Sequence, residues 1–68
     1  MYKISDAARR AALTVKTVRY YADIGLVKPA GRSAAGYRLY AESDIAKLGF
    51  IGRARRYSFS IEQCRDLL

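Results

Sequence analysis

Ile4, Ala7, Ala8 and Ala11 fall at i, i+3, i+4 and i+7, the spacing of one buried stripe on a helix, while Asp6, Arg9 and Arg10 lie outside it. With Ser5 as its N-cap, this pattern predicts a short first helix. A second helix is predicted from Thr14, whose hydroxyl can cap free backbone N–H groups, with Val15, Val18 and Ala22 on its packing side and Gly25 as its stop. Only Ala11-Ala12-Leu13 separates the two, the connection length of a helix-turn-helix. From Leu26 to Tyr40 the helical period disappears, and Pro29, Gly31, Ser33 and Gly36 punctuate a stretch that reads as a loop or wing. Within it, Tyr37-Arg38-Leu39-Tyr40 alternates large side chains and predicts a short strand, with Val27 or Lys28 as its expected pairing partner.

A third helix is predicted over Glu42 to Arg56, with Glu42 and Asp44 at the positive end of its dipole and Arg53, Arg55 and Arg56 at the negative end. Its apolar residues Ile45, Leu48, Phe50, Ile51 and Ala54 spread nearly all round, as in a helix sandwiched between neighbours. Gly49 and Gly52 each cost about 1 kcal/mol relative to Ala there, which makes sense if another backbone approaches closely. Ser60-Ile61-Glu62-Gln63 is a capping-box pattern flanked by Phe59 and Cys64 at the positions of a hydrophobic staple. The helix it opens reaches Leu67-Leu68 without a stop signal, which suggests a longer helix.

At 100° per residue, Lys16, Arg19, Tyr20 and Asp23 gather within about a third of the second helix's circumference, opposite Val15, Val18 and Ala22. One face packs and the other reaches outward. Tyr21, about 100° round from Tyr20, is expected at the core edge. A guanidinium can donate two parallel hydrogen bonds to guanine or to phosphate, Lys adds a point charge, and a Tyr hydroxyl can bond phosphate. Arg32, Tyr37, Arg38 and Tyr40 form a second basic and aromatic cluster, and Arg53, Arg55 and Arg56 a third, so phosphates on either side of a reading helix can set its register.

Charge sharpens this picture. The 68 residues hold 13 Lys and Arg against 6 Asp and Glu, a net charge of +7, which points to a polyanionic partner. At 51% hydrophobic the chain is too apolar for a disordered basic tail. With no His, the commonest general base is missing, and the lone Cys64 excludes an internal disulfide and a self-contained zinc site, so neither an enzyme nor a metal or cofactor site is expected. Cys64 reads as a small buried apolar residue. No apolar run is long enough for a signal peptide or a membrane span, and a cytoplasmic location is expected.

Leu13 to Tyr21, then Ile24-Gly25-Leu26, Arg32, Gly36-Tyr37-Arg38-Leu39-Tyr40 and Phe59-Ser60-Ile61-Glu62 resemble the N-terminal DNA-binding domain of the MerR family of bacterial transcription regulators, and the Pro29 to Tyr37 segment resembles its metal-sensing branch. The resemblance covers the whole chain and implies a mainly α, winged helix-turn-helix with about four helices and a small β wing. It divides residues 1–68 into a helix-turn-helix (1–25), a wing (26–40), a third helix (41–57), and a second wing turn with the start of a fourth helix (58–68). It implies that the second helix enters the major groove of double-stranded DNA and that Tyr37 and Arg38 grip the backbone; with the clusters above, Lys16, Arg19 and Tyr20 are expected in the groove, Arg32, Tyr37, Arg38 and Tyr40 on the backbone, and Thr17 and Arg53 among the DNA-binding residues. It further implies homodimers of the longer protein on pseudo-palindromic promoters, acting on RNA polymerase indirectly through promoter distortion.

Several residues depart from that pattern. Ala12 stands at a turn usually held by Gly, Ala22 replaces the acid after the Tyr pair, Tyr57-Ser58 replaces Leu-Gly before Phe59, and Gly52 stands where the metal-sensing branch often has Arg. Left-handed backbone at Ala12 and Ser58 would carry about 1 kcal/mol of strain each. An excisionase-like protein that bends DNA with a similar small winged helix is the alternative reading. A cationic RNA or membrane module is a further one, but a membrane-binding helix needs a continuous large apolar face, and the second helix offers Val and Ala.

Overall fold

The computed structural model describes residues 1–68. Strand β1 (Tyr2–Lys3) runs directly into helix α1 (Ile4–Arg10), so Lys3 occupies the cap position without a side-chain hydrogen bond and Ser5 lies inside the helix. The expected Ser5 cap is displaced because a strand, invisible in the helical period, leads straight into the first turn. The α1 stripe packs as expected, with Ala7, Ala8 and Ala11 buried and Ile4 against the core. The turn that follows passes through Ala12 at φ 59°, a left-handed conformation that costs a residue with a Cβ about 1 kcal/mol. Helix α2 (Val15–Asp23) then starts on Thr14, whose Oγ1 accepts from the Thr17 N–H at 3.1 Å. Val18 and Tyr21 are its buried residues.

Gly25, at φ 73°, turns the chain out of α2, and the N–H groups of Leu26 and Val27 both reach back to the Tyr21 carbonyl. This hooks Leu26 and Val27 into the core, so neither Val27 nor Lys28 pairs with the wing. The partners are instead β2 (Gly31–Arg32) and β1, which flank β3 (Arg38–Tyr40) in a three-stranded antiparallel sheet of order β1-β3-β2. Tyr2 faces Tyr40 and Lys3 faces Leu39 on one side; Gly31 faces Leu39 and Arg32 faces Arg38 on the other.

Helix α3 (Glu42–Arg56) has half of a capping box: the Asp44 carboxylate accepts from the Ala41 N–H at 2.9 Å, and Ala41 has no acceptor to return. Ile45, Leu48, Ile51 and Ala54 are buried along it. The Tyr2 hydroxyl donates to Glu42 and the Arg10 guanidinium lies 4.4 Å from the Tyr2 ring centre, which ties β1, α1 and the start of α3 together. A Cβ on Gly52 would meet Leu13 Cδ2 at 3.2 Å, so the turn between α1 and α2 docks onto α3 at this residue. Gly49 differs: its nearest contact is the end of the flexible Arg53 side chain, and no other backbone approaches it. The chain turns again through Ser58 at φ 67° into α4 (Ile61–Leu67), where Ser60 and Gln63 cap each other reciprocally at 3.1 and 2.8 Å. Cys64 is buried on the core side of α4.

Candidate nucleic-acid interface

The outward face of α2 and the wing meet at a cleft of about 380 Å³ lined by Lys3, Ser5, Arg19, Arg32, Tyr37 and Arg38 among others. Four cations from four elements therefore surround one concave surface. Arg19 comes from α2, Arg32 from β2 and Arg38 from β3, as the sequence clusters suggest. Lys3 and Ser5 come from β1 and α1, and no local signal marks them, since only the β1–β3 pairing brings the chain's first residues to the wing.

On α2, Lys16, Arg19 and Tyr20 are exposed. The Tyr20 ring leans on that of Tyr21 at 5.8 Å between centres and 48° between planes, leaving one flank open. Thr17 is half-buried, and its hydroxyl accepts from that of Thr14 at 2.9 Å, so it is engaged in starting the helix. At the wing tip the Ser33 and Tyr37 backbones pair, the Ser33 Oγ accepts from the Tyr37 N–H at 3.1 Å, and Gly36 takes φ 87°. The Arg32 Nη1 donates to the Gly36 carbonyl at 3.0 Å, which holds its guanidinium beside the tip, and Tyr37 is left 67% exposed. Arg53 is exposed on α3 but does not line the cleft. In the third cluster, Arg55 donates to the Phe59 carbonyl at 3.0 Å and so braces the turn before α4.

Two expected phosphate contacts are built differently. Tyr40 is 0% exposed, because the strand alternation that turns Arg38 and Tyr40 to one side of β3 places Tyr40 opposite Tyr2 and over the core. It cannot lie along a DNA backbone. Arg38 lines the cleft but is not a free grip: its Nη2 lies 3.5 Å from Asp23 Oδ1, and its Nη1 is buried without a hydrogen-bond partner.

The Tyr40 hydroxyl is likewise buried, with only the Arg38 guanidinium as a polar neighbour, and burial raises its pKa above the ordinary phenol value against the charge and hydrogen bonding of Arg38. Tyr40→Phe is expected to change stability by no more than about 1 kcal/mol, since the desolvated hydroxyl it removes has only the Arg38 guanidinium beside it, and to leave DNA affinity within about twofold. A raised folded-state pKa contributes stability that is complete below the unfolded value of about 10 and lost as pH rises through the folded value, so the Phe variant should lose less stability above that pH. Urea unfolding at neutral and alkaline pH, with one DNA titration, checks both parts. A tenfold loss of DNA affinity would return Tyr40 to the interface.

The sequence profile of the family described as "MerR HTH family regulatory protein" matches residues 2–68. The chain belongs to the MerR family. Among its MerR relatives, the HTH-type transcriptional regulator HmrR of Rhizobium leguminosarum bv. viciae is 51% identical over 65 residues, covering 96% of this chain and 50% of the relative. A MerR-family regulator from Bacillus cereus superposes with a TM-score of 0.90 at 32% identity, over 97% of this chain and 49% of that one. The transcription regulator PbrR691 from Ralstonia metallidurans CH34, solved in complex with lead(II), superposes at 0.85 with 34% identity, over 98% and 52%. This chain thus spans about half the length of these MerR relatives. It is a sequence-specific DNA-binding domain of MerR type, not an enzyme, and stands close to the family's metal-responsive regulators. Nothing among the matches supports the excisionase-like reading. No helix is long and apolar enough to cross a membrane.

Proposed function

We propose that the domain docks on double-stranded DNA with the Lys16, Arg19 and Tyr20 face of α2 in the major groove, while Lys3, Arg32 and Tyr37 hold phosphates on the wing side. The observation that carries this reading is the cleft in which Arg19 of α2 stands with Lys3, Arg32 and Arg38 of the sheet, since a duplex seated there meets a reading helix and a backbone clamp together. Thr17 supports the helix start, and Arg53 adds a phosphate contact from α3. In the longer protein this domain pairs with a second copy on a pseudo-palindromic promoter, in the cytoplasm, and distorts the promoter so that RNA polymerase is affected indirectly.

With roughly four to six phosphates neutralised, a plot of log K against log salt should have a slope of about −4 to −5. Titration of a duplex selected from a random pool, at a series of salt concentrations, measures it. A flat response would remove the electrostatic clamp from the reading.

A further inference from the structure

The carbonyl end of α2 is closed by the backbone N–H groups of the turn that follows it and is braced by side chains from other elements. Helix α2 has no basic residue in its last turn and closes on Asp23, a carboxylate placed where the helix dipole is already negative. Two guanidiniums from other elements meet this end. Arg65, on α4, donates to the Ile24 carbonyl at 3.4 Å, and Arg38, on β3, lies with Nη2 3.5 Å from Asp23 Oδ1. The first grips backbone, and the second depends on one side chain.

Arg38 is suited to act as a strut. It belongs to the central strand of the sheet, opposite Arg32 of β2, so its main chain is held by the wing itself. Its side chain is only 30% exposed and its Nη1 is buried, which leaves the guanidinium little freedom to swing toward a passing phosphate. Its contact with Asp23 is the one ion pair between the wing and α2. Asp23 also stands four residues after Arg19 on the same helix, a spacing at which opposite charges attract. Asp23 nevertheless pairs with Arg38, and Arg19 is left exposed at the cleft.

We propose that Asp23 is a positioning residue for DNA reading: by holding Arg38 it fixes the wing against α2, so that base-reading and phosphate-holding side chains meet one duplex in one register. This rests on the docking proposed above. Ala22 next to it is half-buried and cannot supply the carboxylate, so the role falls to Asp23 alone at this end of the helix. Asp23 is 62% exposed, so exchanging it does not open the core.

The test uses the 68-residue chain with Asp23→Asn and Asp23→Glu, on the duplex selected by the unaltered chain and on a scrambled duplex of the same composition. In Asp23→Asn the ratio of selected to scrambled affinity should fall about three- to fivefold, the size expected for a partly exposed ion pair. Scrambled binding should be no weaker, with a salt slope steeper by about one unit as Arg38 becomes free to meet phosphate. Asp23→Glu should keep the ratio within about twofold of the unaltered chain, because its longer carboxylate still reaches Arg38. An unchanged ratio in Asp23→Asn overturns the proposal, as does an equal loss on both duplexes or a Glu variant no better than the Asn one. Arg19→Ala in the same assay separates this outcome from failure of the docking itself: if it alters binding to neither duplex, the docking is wrong, whereas an active Arg19 with an indifferent Asp23 removes only the strut.

Discussion

Two copies of this chain joined by a flexible Gly/Ser linker are expected to bind a duplex carrying two half-sites about 10² to 10⁴ times more tightly than one copy does. The domain measures 37 × 20 × 19 Å, and the exposed Lys16, Arg19 and Tyr20 face of α2 is enough for one major-groove site. A second site one helical turn away lies about 34 Å along the duplex, and a linker of roughly 40 residues has an r.m.s. length that matches it. Once the first copy is bound, the second meets DNA at millimolar effective concentration, with no new contact required. Titrating the tandem chain on duplexes with one and with two half-sites, at several spacings, measures the gain. If the gain stays below about tenfold at every spacing, or is equally large on the single half-site, a two-copy arrangement on a pseudo-palindrome is not how this domain reaches its operator.

Arg19→Ala is expected to cost about 1 to 3 kcal/mol on the selected duplex and to relax sequence preference, because a bidentate contact to a base edge distinguishes one base pair from the others. Arg19 is the residue on which the two halves of the proposed interface converge, exposed on α2 and lining the cleft with the wing cations. Arg32→Ala provides the contrast. Its guanidinium is held at the wing tip by the Gly36 carbonyl and belongs to a strand rather than to α2, so its loss should weaken all duplexes by a similar factor and flatten the salt slope by about one unit. Competition of selected against scrambled duplexes reads both variants at once. If Arg19→Ala leaves their ratio unchanged, α2 is not the reading helix.

Elements set by local chemistry were legible in the sequence. Thr14 and Ser60 cap the helices expected of them, Gly25 ends α2, and the acidic-to-basic gradient of Glu42 to Arg56 marks α3 at both ends. The left-handed turns at Ala12 and Ser58 were legible through the resemblance, which places Gly at both. What depends on distant pairing was not. Strand β1 is two residues with no periodicity to announce it, and it exists because Tyr40 and Leu39 receive it. The same pairing decides the fate of two tyrosines with similar neighbours: Tyr37 stays out at the wing tip, while Tyr40 turns inward opposite Tyr2. Alternation along the strand shows that there are two faces, and only the partner strand shows which of them is inside. Asp23 is a parallel case in the candidate site. Its position on the outward face of α2 follows from helical spacing, but its attachment to Arg38 requires knowing where the wing folds back.

The wing sheet has two open edges, and both are short and charged. Strand β1 presents Lys3 to solvent and β2 presents Arg32, each in a strand of only two residues. An uncovered strand edge is an invitation to pair with another chain, and brevity and positive charge are common ways to refuse it. The cations proposed to hold phosphate therefore also work against one wing adding to another, so the same side chains serve against aggregation.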